Sequence, residues 1–377
     1  MKLMTILTLT FSLSLLSFKT QAEVQILFYN VENLFDVEHD LDKNDWEFLP
    51  KDYPGKEEFC KTLSLSRQKN CLEADWTQEK LNLKIQQIQK VFVSYQESIS
   101  SQVDLLGLVE VENENVVVQL KNKLGFQYHA VTDSPDERGI DVALLYNTSE
   151  NLRFIAATQH QLEGEEFKQN PTRNILEVTF EHIHRGVSSL IVVFVQHWPS
   201  QAAPSKVRVE VAKQFMALVN KTKENHPLAH IISMGDYNTI DKDQPHPFYR
   251  ELFWGPHALW DIHGQFLRTN LVSRQEKNRM PLGTYFFAGD MQWNILDRFF
   301  VSRSLIDNMG LEVDLKSYKI FYKPFMVKAT LFENPDSFSF GTIIKNTPWR
   351  YDHSQVSEEL AGFSDHFPIG VKLMTQP

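Results

Sequence analysis

Apolar positions recur along this chain with two different periods. Val24-Gln25-Ile26-Leu27-Phe28-Tyr29 and Val103–Val109 are short, nearly continuous apolar runs, the pattern of strands buried on both faces. Leu81, Ile85, Ile88, Phe92, Tyr95 and Ile99 alternate spacings of four and three, which places them on one face of a helix. Val207, Val211, Phe215 and Leu218 mark a second amphipathic helix, and a short helix is predicted over Asn115–Leu124. Further strands are expected near Phe126–Val131, Ile140–Tyr146, Leu152–Ala157, Asn174–Phe180, Leu190–His197, Ile231–Met234, Leu296–Ser302 and Phe367–Leu373. Many strands with few helices between them predict an α/β protein with packed sheets and helices outside. The polar stretch from about His39 to Trp76 holds no sustained period and reads as a long surface insertion.

The N-terminus adds a processing signal to this picture. Lys2, an apolar run from Leu3 to Phe18, Lys19 and the small residues of Thr20-Gln21-Ala22 form the n-region, h-region and cleavage site of a signal peptide over 1–22. The run is short of the ~20 residues that cross a bilayer, and no other stretch approaches that length. The expected location is therefore periplasmic or extracellular. Cys60 and Cys71, the two cysteines, then predict one disulfide in an oxidising compartment. The chain has 377 residues, no internal repeat and no Pro/Gly/Ser linker, so residues 23–377 are expected to form a single domain, with no stable protein partner. A formal charge of −10 excludes a protein that coats nucleic acid through a broad basic field. It does not exclude a nuclease, because a bound cation supplies positive charge locally.

Polar residues gather where the apolar runs stop. The first strand runs into Asn30-Val31-Glu32-Asn33, the second into Glu110-Val111-Glu112-Asn113, and later strands into Gln196-His197 and Gly235-Asp236-Tyr237-Asn238. Asp297 opens another strand, and Ser364-Asp365-His366 precedes the last. Strand alternation would put Glu110 and Glu112 on one face, so either or both could reach a bound ion. Carboxylate and amide oxygens suit Mg²⁺, with Mn²⁺ or Ca²⁺ as alternatives, rather than Zn²⁺. A His oriented by an Asp moves protons near neutral pH. These are the parts of a metal-assisted phosphoester hydrolase. Asp40, Asp42, Asn44 and Asp45 resemble the front of a calcium loop, but the Gly and distal Glu of such a loop are missing.

In order along the chain, NVEN at 30–33, LVEVEN at 108–113, RGIDVALLY at 138–146, QHWPS at 196–200, GDYN at 235–238, NILDRFFVS at 294–302 and SDHFPIG at 364–370 resemble the endonuclease/exonuclease/phosphatase superfamily. That group includes pancreatic deoxyribonuclease, abasic-site endonucleases, neutral sphingomyelinases and inositol-polyphosphate 5-phosphatases; the NVENLFD run is most similar to a bacterial exported branch. The resemblance implies a four-layer α/β sandwich, two mixed or antiparallel sheets packed face to face and flanked by helices. It also implies roles: Glu110, Asp365, Asn30 and Glu32 around the metal; His197, Asp236, Asn238, Asp297 and His366 in catalysis, with Asp297 orienting His366. Val109 stands where the family usually has Gln. Arg138 and Arg208 are candidate phosphate contacts, as is Lys206, while Asp141 reads as a structural salt link.

The expected reaction is hydrolysis of a phosphodiester in DNA, or RNA as well, by an exported monomeric enzyme. A rival of the same fold acts on phospholipid, sphingomyelin or inositol phosphates; an aromatic-tipped loop at 285–287 or 320–325 would favour it. A rival of another class is an inactive binding protein, against which the full set of acidic, amide and His positions argues.

Overall fold

The computed structural model describes residues 23–331 and 341–375; the expected signal segment 1–22 lies outside them. The chain begins with β1 (Glu23–Leu34), α1 (Lys56–Cys60), α2 (Leu65–Glu73), α3 (Gln78–Ile99), β2 (Leu105–Val111), α4 (Glu114–Leu124), β3 (Tyr128–Val131) and β4 (Asp141–Tyr146). There follow β5 (Leu152–His160), α5 (Glu165–Gln169), β6 (Ile175–His184), β7 (Val187–His197), α6 (Ser205–Asn225), β8 (His230–Asp236) and β9 (Leu259–Asp261). The last part holds α7 (Ile262–Arg268), α8 (Arg274–Lys277), β10 (Tyr285–Phe287), β11 (Gln292–Asn294), β12 (Asp297–Ser302), β13 (Leu311–Ile320), β14 (Val327–Leu331), β15 (Ile343–Pro348) and β16 (Ile369–Thr375).

Two six-stranded sheets carry the fold, in the orders β13-β16-β1-β2-β4-β3 and β5-β6-β7-β8-β12-β9. Each has one parallel pair at its centre, β1 with β2 and β7 with β8, and antiparallel strands around it. A parallel pair needs a long crossover, and here each crossover contains a long helix, α3 in one sheet and α6 in the other. The inner faces pack on each other: Phe28, Leu105, Val109, Val193, Met234 and Phe299 belong to one buried cluster. The sheets come so close at Gly107 that a Cβ there would lie 2.6 Å from Met234 Sδ, so a larger residue would force the Met234 side chain to move.

The helices cover the outer faces. α3 is capped by the Thr77 side chain, which accepts from Lys80 N, and buries the predicted Leu81, Ile85, Ile88, Phe92 and Tyr95. α6 buries Val207, Val211 and Phe215 against Phe194 and Ile231 of the second sheet. The result is helix, sheet, sheet, helix: the four-layer sandwich that the resemblance implied.

Several elements escape the sequence pattern. The ten-residue β13 was not predicted, because its pairing with β16 shifts register between Asp314 and Lys319 and spoils the alternation. β9, β10 and β11 have three residues each, too few to show a period. The last strand starts at Ile369 rather than Phe367, whose N–H donates instead to Thr284 O at 2.8 Å.

The 39–76 segment is not a bare loop. It contains α1 and α2, joined by a Cys60–Cys71 disulfide with Cα atoms 5.6 Å apart. It is anchored to the body by Trp76, whose Nε1 donates to Phe35 O at 3.0 Å, and by Phe48 stacked on Phe35. The Asp-rich turn is internally committed. Asp45 accepts from His39 Nδ1 and from Asp40 N at 2.8 Å, and Asp40 accepts from Asn113 Nδ2 at 3.1 Å.

Candidate active site

Both parallel pairs end at the same edge of the sandwich. β1 delivers Asn30 and Glu32, β2 Glu110, β7 His197 and β8 Asp236 at their C-terminal ends. Asp297 starts β12 opposite Asp236, and residues 364–366 lead into β16 beside β1. Together they surround a cavity of about 630 Å³ whose lining includes Glu110, Arg138, Arg173, His197, Asp236, Asn238, Asp365 and His366.

Local backbone irregularity aims these side chains. Glu32, Asn33, Glu110 and Asn238 all have positive φ, between 45° and 61°, which is uncommon for residues other than glycine. Register shifts at Asn30/Leu34 and Val109/Val111 mark bulges in β1 and β2. The bulge at Glu110 breaks the expected alternation, so Glu110 and Glu112 do not share a face. Glu110 opens onto the cavity, while Glu112 turns inward and accepts from Asp36 N at 2.7 Å. Burial, and after it the charge of Asp36, raises Glu112 to about 10, so it is a neutral structural group.

Asp236 is the hub. Its Oδ2 accepts from Asn30 Nδ2 at 3.1 Å and lies 3.7 Å from His366 Nε2 and 3.8 Å from His197 Nε2; its Oδ1 accepts from Asn238 N at 2.9 Å. Burial raises it to about 7, against the lowering pull of His366. His366 Nδ1 lies 2.8 Å from Asp297 Oδ2 across 69 positions of sequence. Burial alone would lower His366, but the charge and hydrogen bond of Asp297, with Asp236 and Asp365, hold it well above the ordinary histidine value. His197 goes the other way. Burial, then the charges of Arg173 and Arg138, hold it well below that value, and it is neutral.

Two expected metal neighbours have other work. Both oxygens of Glu32 are taken: Oε1 by Arg350 Nε, Oε2 by the N–H groups of Tyr351 and Asp365, each at 2.9 Å. Asn30 Oδ1 accepts from Glu32 N at 3.0 Å, and Nδ2 reaches Glu110 as well as Asp236. Both residues are fully buried and position others. Arg208 is a clearer correction. It is 1% exposed, pairs with Asp243 at 2.7 Å and donates to Ser200 O and Ala203 O, so it braces the loop after β7 and touches no substrate space. Lys206 is exposed on α6 and does not line the cavity. Asp141 is held by Thr132 and Ser134 hydroxyls rather than by a salt link.

Arg138 lines the cavity and donates to Asn33 Oδ1 at 2.8 Å. Arg173 was missed in the sequence, where a single Arg before a strand carries no signal. It is 9% exposed, donates to Trp198 O at 2.6 Å and pairs with Asp136 at 3.2 Å. Also missed were Thr284, whose hydroxyl accepts from Asp297 N at 3.2 Å, and Arg350, beside both Glu32 and Asp365.

Comparison with known proteins identifies the family and the fold. A profile of the Endonuclease/Exonuclease/phosphatase family matches residues 69–375. The chain belongs to this family. The family's members are phosphoester hydrolases, and they generally work with divalent metals. Among solved structures, an endonuclease/exonuclease/phosphatase family protein from Bacteroides thetaiotaomicron has 16% identity over 95% of this chain and 99% of its own, with a TM-score of 0.50. A second, from Bacteroides vulgatus, has 12% identity over 94% and 99%, with a TM-score of 0.51. The catalytic domain of human Nocturnin, with bound sulfate, has 14% identity over 94% and 95%, with a TM-score of 0.50. These likenesses show the endonuclease/exonuclease/phosphatase fold. The sequence matches no curated protein.

Proposed function

We propose that this protein is a divalent-metal-dependent phosphodiesterase that acts on nucleic acid outside the cytoplasm. The observation that carries the reading is the convergence of Glu110, Asp236, Asp365, His197 and the Asp297–His366 pair on one cavity.

The donor set fits a hard cation. Asp236, Asp297 and His366 offer ligand atoms within 4.8 Å of one another, but Asp297 and His366 are already bonded to each other. Glu110 and Asp365 fit better: both carboxylates face the cavity, and the Asp365 carboxylate accepts no hydrogen bond among the described residues. Burial raises Asp365, and the charge of Glu110 adds to this, a repulsion that a bound cation would offset. Glu110 and Asp365 would therefore hold the ion, kept in place by Asn30 and Glu32. A divalent ion bound there polarises a phosphoryl oxygen and offsets negative charge in the transition state.

The remaining work falls to the chain. Asp236 accepts the proton of the attacking water, steadied by Asn30 and the Asn238 N–H. His366, charged through Asp297, donates from Nε2 to the phosphate. Neutral His197 and the Asn238 amide stabilise the pentavalent state. Arg138 and Arg173 supply fixed positive charge at the wall.

A lipid substrate finds less support. In 320–325, Phe321 is 4% exposed and Tyr322 packs on Phe367; in 285–287, Phe286 packs on Trp293 and leaves Phe287 as the single exposed ring, which lines the cavity. Export rests on the 1–22 segment and fits the disulfide; no helix among the described residues is long and apolar enough to cross a membrane. The test is an assay of the mature protein on plasmid DNA, RNA, sphingomyelin and inositol phosphates with Mg²⁺, Mn²⁺, Ca²⁺ or EDTA. The reading expects metal-dependent cleavage of DNA or RNA; hydrolysis of lipid or inositol phosphates alone would overturn the substrate assignment.

A further inference from the structure

The β10–β11 hairpin forms part of the cavity wall, and its three aromatic residues are not equivalent. Alternation along β10 puts Tyr285 and Phe287 on the cavity side and Phe286 on the other. Phe286 packs on Trp293 with ring centroids 5.3 Å apart, and Tyr285 lies 4.9 Å from the His366 ring. Phe287 has no aromatic partner among the described residues and is 46% exposed. Its ring rests on Gly289: a Cβ there would lie 2.9 Å from Cε1 and Cζ. The glycine lets the ring pack closely against the hairpin turn, while the residue stays partly exposed. An aromatic ring backed by its own turn, on the wall of a cavity, is a preformed stacking platform.

The same cavity also carries positive charge beside its acidic Glu110, Asp236, Asp290 and Asp365. Arg138 and Arg173 both line it, apart from the His366–Asp297 pair. Arg173 is buried and bonded to Asp136 and Trp198 O, whereas Arg138 is exposed and is the guanidinium open to a ligand. A ring platform together with the Arg138 guanidinium suits a ligand that carries flat rings and phosphates in alternation.

We propose that Phe287 is a stacking subsite for a base of single-stranded nucleic acid, whose neighbouring phosphate is held by Arg138. In a duplex both faces of each base are already stacked, so this subsite favours single strands, frayed ends and loops. The proposal rests on the nucleic-acid reading above and narrows it.

The test compares KM for single-stranded oligothymidylate with KM for the same backbone lacking every base, with bis-(p-nitrophenyl) phosphate as a small diester that needs no base. In the unmodified protein the base-bearing strand should show a KM about tenfold lower, the scale of one stacked base. Phe287→Ala should bring the two KM values within about twofold. Phe287→Tyr, which keeps the ring, should retain the difference. A Phe287→Ala protein that still discriminates tenfold overturns the subsite, and so does an unmodified protein that cleaves both strands with equal KM. Hydrolysis of the small diester with neither strand cleaved overturns the nucleic-acid reading itself, and the subsite with it.

Discussion

Glu110 and Glu112 are two residues apart, and one bulge sends them to opposite fates. Regular alternation makes them equivalent; the positive φ at Glu110 makes one a cavity carboxylate and the other a buried neutral acid. No feature of the sequence encodes that bulge, whereas the chemical identity of the cluster was legible at the strand ends. Arg208 teaches the complementary lesson, since a cation near a site can be spent entirely on loop carbonyls. Arg208→Ala leaves Asp243 buried without its partner, so stability should fall by about 3 kcal/mol, the scale of breaking a buried pair. Denaturant melts would show this, while KM on a small diester should stay close to that of the unmodified protein; a large KM change with no loss of stability would return Arg208 to the substrate site. The Asp297–His366 pair makes a different prediction. Asp297→Asn and His366→Ala should each slow hydrolysis by at least ~10²-fold, and the double variant should be little worse than the poorer single one. Multiplicative losses would mean the two act independently.

At the scale of elements, long strands and both long helices were readable because their faces are buried with a clean period. The short hairpins and β13 were not, because three residues or a bulge leave no period to read. The 39–76 segment was readable only as polar; its seat on the body depends on contacts distant in sequence. One of these is His353, whose ring lies 5.4 Å from Phe48 and 5.3 Å from Trp76. Burial, then the charges of Lys84 and Arg350, lower His353 to about 3 from an ordinary value of 6.5. The unfolded chain therefore takes up a proton between those pH values that the folded chain does not, and stability is lost as pH falls through that window. His353→Phe keeps an aromatic ring and removes the titration. Its melting temperature should fall less between pH 6.5 and pH 4 than that of the unmodified protein. Parallel curves would show that His353 does not contribute to the acid sensitivity.

At the scale of the whole molecule, the two sheets resemble each other in plan: a parallel pair, a helical crossover, and candidate-site side chains at the C-terminal ends. Packing them face to face brings both sets of strand ends to one rim. That explains how Asn30, Glu110, His197 and Asp236, spread over 206 positions, meet within hydrogen-bonding distance or a little beyond. On the proposed reading it would also let an acidic chain act on a polyanion, because the negative charge is gathered where a cation would neutralise it. The most direct test of this claim is the rate of bis-(p-nitrophenyl) phosphate hydrolysis by the unmodified protein and by Glu110→Gln, each with Mg²⁺ and with EDTA. Activity should vanish in EDTA, return with excess Mg²⁺ or Mn²⁺, and fall by at least ~10²-fold in Glu110→Gln at an unchanged melting temperature. Full activity in EDTA, or a Glu110→Gln protein near the unmodified rate, would contradict it.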